Sequence, residues 1–307
     1  MLKTGIYTLD EARDPAAQRG YFGGIRKISI TLYPDACRQA DDEKTAERIL
    51  FQFTDGRSVF KRTYARRFPA FDQTVAQIIR KNFTGDTLHV HDAAVSDGRT
   101  AVDFHAVLSP LFSNISYNAS DYNPSLEIVR SGKMTVTFGE DGQVLEICRP
   151  PFVFNKVTES VLYYPLNAVA RAGIETMAAA QIKAYRQGKI KGEPILLFSP
   201  QALKLAQNNP RFTLDKHDIL TPFTDRYDVI RAMNILDPAY FTEDELRRVA
   251  AHVHKGLKED SLFIVGSNQN PDTPVNGNVY RRTATGFEEI WCSGSGTPAR
   301  DYFTDNA

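Results

Sequence analysis

Residues 87–110 read TLHVHDAAVSDGRTAVDFHAVLSP, and this stretch decides the fold. TLHVHDA has the texture of a strand. VSDG is turn-forming, and RTAVDFHAVL carries apolar side chains at helical spacing. Strand, tight loop and helix in succession open a βαβ unit, and repetition of that unit builds a parallel sheet covered by helices on both faces.

Working outward, residues 71–83 (FDQTVAQIIRKNF) place Val75, Ile78, Ile79 and Phe83 near helical spacing, so a helix leads into the first strand. Residues 1–70 read as a β-containing extension. The run IRKISITLY alternates, and RILFQF and RSVFKRTYA are joined by Thr54, Asp55 and Gly56, an Asp-Gly hairpin signal. Downstream come a strand, NISYNASDY, a short helix, PSLEIVR, and a hairpin of KMTVTF and QVLEIC turning at 139–142. A long Ala-rich helix follows from about Glu159 to Gln187, ending near Gly188. The alternation resumes with the strand PILLFSP, the helix QALKLAQNN, the strands RFTLDKHD and YDVIRAMNIL, the helix TEDELRRVAAHVHKGL and the strand SLFIVGS. GNVYRRTATGFEEIWC closes the chain with two strands around Thr285 and Gly286. The expected organisation is an N-terminal extension or lid over 1–70. An α/β domain follows over 71–307, with a hairpin-plus-helix insertion at about 131–192.

Composition narrows the function. Lys+Arg and Asp+Glu number 37 each in 307 residues, so the chain lacks the cationic excess by which proteins release counterions from nucleic acid; nucleic-acid binding is not expected. Cys37, Cys148 and Cys292 are odd in number and far apart, which leaves neither a disulfide framework nor a CxxC metal knuckle. The opening MLKTGIYTLDEARDP is charged where a secretory peptide needs an apolar run, and no stretch approaches the roughly 20 apolar residues of a membrane span. A cytoplasmic protein with no membrane partner is the expectation; the oligomeric state is not legible.

In a doubly wound sheet, ligands bind beyond the carboxyl ends of the strands, near the point where strand order reverses. Four such places carry informative residues. The first is Asp92 to Gly98, where the small residues Ala94, Ser96 and Gly98 allow close backbone approach and the following helix offers N–H groups; a tight turn without ligand is the alternative. The second is Asp121, whose carboxylate matches a ribose diol or else caps a helix at PSLEIVR. Third are Asp218 and Ile219, an acid beside a backbone N–H that could read the amine edge and ring nitrogen of adenine, or a solvated loop. The fourth is Asn234, a polar residue ending an apolar strand, where an unpaired amide would be costly.

The order of these features resembles the class I S-adenosylmethionine-dependent methyltransferases, and in motif style the bacterial chemotaxis-receptor methyltransferases. The resemblance rests on HDAAVSDGRT, NASDY, KHDIL and YDVIRAMNIL and covers roughly 72–290. Residues 93–98 correspond to the family's Ala-Gly-Cys-Ser-Thr-Gly-like loop, with Ala94 in place of the usual glycine. The resemblance implies a Rossmann-like sheet and S-adenosyl-L-methionine as cofactor. It implies that residues 92–98, including Asp92, Ala94, Ser96 and Gly98, cradle the methionine part. Asp121, with Tyr122 beside it, would meet the ribose, Asp218 and Ile219 the adenine, and Asn234 the methionine end. Receptor glutamate methylation is not implied, because the extension reads as β-rich where those relatives are helical.

Methyl transfer needs little acid–base equipment, since the sulfonium is an activated donor; the absence of a catalytic triad is no objection. Asn234, Tyr163 and Tyr164 are the candidates for contact with reacting atoms. Tyr64, Arg66, Arg67 and Tyr163 are the candidates for a lid around a small-molecule substrate, with core tyrosines and surface arginines as the alternative. Two other functions stay open. One is attack on the aminocarboxypropyl chain of the cofactor, releasing methylthioadenosine; the other is nucleoside binding without catalysis. GSGTPA at 294–299 matches a dinucleotide fingerprint only formally, because no βαβ unit can follow it. The pairs His89/His91 and His252/His254 lack supporting metal-ligand spacing, so no metal is expected.

Overall fold

The computed structural model describes residues 5–19, 26–38, 43–53, 63–155, 165–270 and 272–303. In chain order their helices are α1 (Leu9–Arg13), α2 (Tyr33–Arg38), α3 (Glu43–Gln52), α4 (Pro69–Asn82), α5 (Arg99–Leu108), α6 (Pro165–Arg186), α7 (Pro200–Asn208) and α8 (Glu243–Gly256). The first strands are β1 (Gly5–Ile6), β2 (Lys27–Ile28), β3 (Thr87–Ala93), β4 (Asn114–Asp121), β5 (Ser125–Ser131), β6 (Met134–Gly139) and β7 (Val144–Arg149). The remaining strands are β8 (Phe152–Asn155), β9 (Glu193–Leu196), β10 (Phe212–Lys216), β11 (Tyr227–Met233), β12 (Leu257–Ser267), β13 (Asn276–Arg282) and β14 (Phe287–Ser293). The chain divides into two compact units, Met1–Thr63 with Ser125–Leu197, and Tyr64–Pro124 with Phe198–Ala307.

The second unit is α/β and Rossmann-like. Its seven-stranded sheet runs β10-β4-β3-β11-β12-β13-β14. The first five strands are parallel, and the last two form an antiparallel edge hairpin. In chain order the parallel strands stand third, second, first, fourth and fifth, so the winding reverses between β3 and β11. β11 is buried along its whole length, as a central parallel strand covered on both sides must be. Its alternate residues sort to the two faces. Val229 and Met233 join a core with Phe71, Val75 and Ile79 of α4 and Phe104 of α5, while Ile230 and Ala232 join another with Leu246, Val249 and Val253 of α8. α8 opens on a full capping box, the Thr242 side chain accepting from the Glu245 N–H and the Glu245 side chain accepting from the Thr242 N–H.

The first unit holds a five-stranded antiparallel sheet, β8-β7-β6-β5-β9. Ile174 and Ala178 of α6 pack with Phe138, Ile147 and Phe154, whereas Ile6, Ile30, Tyr33, Ile49 and Leu50 pack with Leu126, Ile128 and Leu145. The N-terminal segment is also tied to β7 by Glu146, which is buried and accepts from Ser29 Oγ at 2.7 Å and from the Ile30 N–H at 3.2 Å.

Several expectations are corrected. The N-terminal segment is β-containing only through the two-residue strands β1 and β2, and helices supply most of its described residues. Arg48 to Gln52 of RILFQF lie in α3, whose Thr45, Ala46, Ile49 and Leu50 bury one face with helical spacing; six residues were too few to separate that spacing from a strand. The turn at Thr54, Asp55 and Gly56 lies outside the described residues. PSLEIVR lies in strand β5 and is not a helix: Leu126 and Ile128 are buried and Ser125 and Glu127 are not, a period of two that holds over 125–128 before Val129, also buried, breaks it. The strand in PILLFSP, β9, pairs antiparallel with β5 and does not resume the parallel sheet. The hairpin of β6 and β7 and the long helix, described over α6, match the reading.

Candidate functional site at the strand tips

β3 and β11 are neighbours, and the crossovers from them depart in opposite directions, so their carboxyl ends flank the switch point. Among the described residues five that are not glycine have positive φ: Arg66, Ala94, Ser96, Asn234 and Asp260. Three of the five stand on these two tips, Ala94 and Ser96 each at 60° and Asn234 at 57°. Such conformations cost on the order of 1–3 kcal/mol each and persist only where surrounding bonds enforce them.

Those bonds are present. The Val95 N–H donates to the Ser120 carbonyl at 3.0 Å, the Ser96 N–H to Asp121 Oδ2 at 2.8 Å, and the Gly98 N–H to the Val95 carbonyl at 3.0 Å. Gly98, at φ 80°, opens α5, and a Cβ there would lie 2.9 Å from that of Ala202, so only glycine meets both demands. The expected helix cap at Asp121 is absent because no helix follows. Its two oxygens instead hold the loop, Oδ2 on Ser96 and Oδ1 on the Asn123 N–H at 3.1 Å. Tyr122 beside it is half-buried. Ser96 Oγ is buried with no hydrogen-bond partner among the described residues.

Asp92 stands apart from this group. It is 1% exposed and receives Arg231 Nη1 at 2.8 Å and the Tyr117 hydroxyl at 2.7 Å, while Arg231 Nη2 reaches Asp72 at 2.8 Å. Burial raises the pKa of both carboxylates against the pull of Arg231, that of Asp72 to about 7. Arg231 also lies over the Phe104 ring, 4.5 Å from its centroid. This buried knot underlies the end of β3, and sequence reading missed it. The available signal was a charged residue inside the apolar run VIRAM.

Beyond β10, Asp218 makes an Asx turn, its Oδ1 accepting from the Leu220 N–H at 3.0 Å, and Ile219 is buried against the core under α8. Beside it His91 donates to or accepts from Ser120 Oγ at 2.8 Å and meets the rings of His217, Phe223 and Tyr227 edge-on. Burial, and secondarily the charge of His217, lower the His91 pKa to about 3, so it is neutral at physiological pH. Among the described residues no three His, Cys, Asp or Glu side chains are grouped so as to hold a metal ion.

Asn234 is paired across the tips: its Oδ1 accepts from the Asn268 N–H at 2.8 Å, and its own N–H donates to the Gly266 carbonyl at 2.8 Å. Arg67 is buried, not surface charge, with Nε donating to Asn268 Oδ1 at 2.9 Å and Nη2 to the Asn268 carbonyl at 3.0 Å. Its guanidinium sits 5.5 Å from the Tyr64 ring centroid. Arg66 is exposed, and its N–H donates to Asp103. Asn268, a further residue missed in the sequence, thus joins Asn234 and Arg67. Tyr163 and Tyr164 lie outside the described residues. No described helix is long and apolar enough to cross a membrane.

No family model and no curated protein sequence matches the chain. Among solved structures it is similar to an S-adenosylmethionine-dependent methyltransferase from Clostridium acetobutylicum at 15% identity, with 66% of this chain and 50% of that one covered and a TM-score of 0.31. It is similar to a TehB-like SAM-dependent methyltransferase from Corynebacterium glutamicum at 10% identity, covering 64% and 62%, with a TM-score of 0.31. It is also similar to Streptomyces venezuelae DesVI at 10% identity, covering 73% and 68%, again with a TM-score of 0.31. The chain spans between half and two thirds of the length of the first two. At this overlap the likeness carries no weight beyond itself, and the strand order stands on its own.

Proposed function

We propose that the second unit binds S-adenosyl-L-methionine at the tips of β3, β4, β10 and β11 and transfers its methyl group to a small molecule. The observation that carries this reading is the concentration of strained backbone on the two strands flanking the switch point, with an acid, Asp121, ending the next strand.

The residues present fit such a nucleoside. Ser96 Oγ is a buried hydroxyl in want of a partner. Both Asp121 oxygens hold backbone N–H groups, yet a carboxylate oxygen has a second lone pair, so each can also accept from a ribose hydroxyl. Asp218 and the Ile219 N–H would meet adenine, and Asn234 the methionine end. Asp92 is excluded from this contact set by its burial and its ion pair and acts as the floor of the loop. Bound there, the cofactor supplies a methyl carbon already activated by a sulfonium. The chain therefore has mainly to position an acceptor and exclude water; an N–H or O–H acceptor gives its proton to solvent, the leaving thioether of S-adenosylhomocysteine being neutral, so little acid–base equipment is needed.

Calorimetry with S-adenosylmethionine tests the binding, and mass spectrometry of the nucleoside released in the presence of small-molecule acceptors tests the reaction. S-adenosylhomocysteine is the expected product. Methylthioadenosine would place the attack on the aminocarboxypropyl chain, tight binding without turnover would make the unit a nucleoside-binding regulator, and no binding would overturn the proposal.

A further inference from the structure

The first unit carries a groove of its own, about 530 Å³ in volume, between the β5–β6 hairpin and α6. That is the size range of pockets for small ligands. Its floor is apolar: Val129 and Met134 are buried, and Met177 of α6 leaves half of its surface, 51%, uncovered. Its rim holds Arg130, Lys133 and Arg149.

The charges there are not balanced by the protein. Arg130 has a loose partner, Glu193, at 3.6 Å and largely in solvent, an arrangement worth little. Lys133 has no ion-pair partner among the described residues, and the Arg149 guanidinium rests on the Met177 sulfur, a weak acceptor that carries no charge. Three cations therefore face one acid across a floor of two methionines and a valine. Methionine is the side chain that reshapes most readily around an irregular apolar ligand.

We propose that this groove binds a small amphiphilic anion, a single carboxylate or phosphate group on a hydrocarbon chain. The head group would be held by Lys133 and Arg149 and the chain laid on Val129, Met134 and Met177. The site does not depend on the cofactor assignment, since every residue in it belongs to the first unit.

The test is calorimetry on the full chain with decanoate, decyl phosphate and decanol, each below its micellar concentration. Decanoate or decyl phosphate, or both, bind saturably, and whichever binds tighter identifies the head group. Decanol binds at least about tenfold more weakly, the cost of losing one charge-assisted hydrogen bond. Lys133→Gln with Arg149→Gln weakens the anions by a similar factor or more and leaves decanol unchanged. Ala180→Glu, on an exposed α6 position lining the groove, adds bulk and negative charge without burying either and abolishes anion binding. Circular dichroism and the melting temperature confirm that both variants are folded. Equal affinity for decanol and the anions, undiminished anion binding in both variants, or absence of saturable binding would each overturn the proposal.

Discussion

At the scale of single residues, the molecule's most expensive choices are backbone conformations. Ala94 holds a left-handed φ that its methyl group disfavours, and the bonds around it leave no alternative. Ala94→Gly is therefore expected to stabilise the protein by about 1 kcal/mol, net of the greater freedom glycine has when unfolded. Urea denaturation reads this directly, and a loss of stability would show that the loop is not strained. Arg231 is costly for a different reason, as a charge held in the core. Replacing it with Met leaves Asp72 and Asp92 buried without a cation and is expected to cost about 3–5 kcal/mol in the same assay. Asp92 is also where residue identity misled: an acid at a strand tip has the same letter whether it faces a ligand or a buried guanidinium. What separates the two is the arginine on β11, 139 positions further along.

Elements were legible where their period was long or their caps explicit. α4, α8 and the hairpin of β13 and β14 lie where spacing and turn residues place them, because each satisfies its own hydrogen bonds locally. Short segments were not. RILFQF, read as a strand, lies in α3 over five of its residues, and PSLEIVR, read as a helix, lies in β5 over six; segments this short do not fix their own period, and the core they meet decided it. Glu146 shows an element held by tertiary chemistry: it sits in β7, and burial pushes its pKa from 4.5 up to about 7 despite the bonds from Ser29 and Ile30. The folded state thus holds this proton more tightly than the unfolded chain. The stability it contributes is fully present below about pH 4.5 and is lost as the pH rises through about 7, a fall on the order of 3 kcal/mol. Glu146→Gln, which keeps the shape and cannot ionise, is expected to remove the Glu146 share of the fall across that window and leave the share of the buried Asp72, whose pKa is also raised to about 7. Urea midpoints at mildly acidic and mildly alkaline pH provide the check, and an unchanged slope would assign the effect elsewhere.

Across the whole molecule, the partners of Arg231 and of Glu146 each lie within one unit. Their substitutions are therefore expected to be additive: the double variant Arg231→Met, Glu146→Gln should match the sum of the single effects within about 0.5 kcal/mol. A larger deviation would reveal coupling between the units. Hydrogen exchange with and without S-adenosylmethionine provides the companion test of the cofactor site. Protection is expected at residues 94–98, 121–123 and 218–221, and its absence there with binding intact would move the site elsewhere.

By itself, the sequence determined that an alternating α/β sheet exists and which loops end at its tips, because periodicity and turn chemistry are local and survive in one dimension; it did not settle sheet membership, since PILLFSP reads as a strand of that sheet and pairs instead with β5. Only the tertiary structure decided that residues 1–63 and 125–197 form one body, that Arg67 is buried on Asn268, and that Asp121 clamps the loop after β3 while Asp92 lies beneath it. These facts depend on groups far apart in the chain sharing a volume without water, where an unpaired charge or amide is too costly to leave, and no local pattern encodes which distant partner will satisfy it.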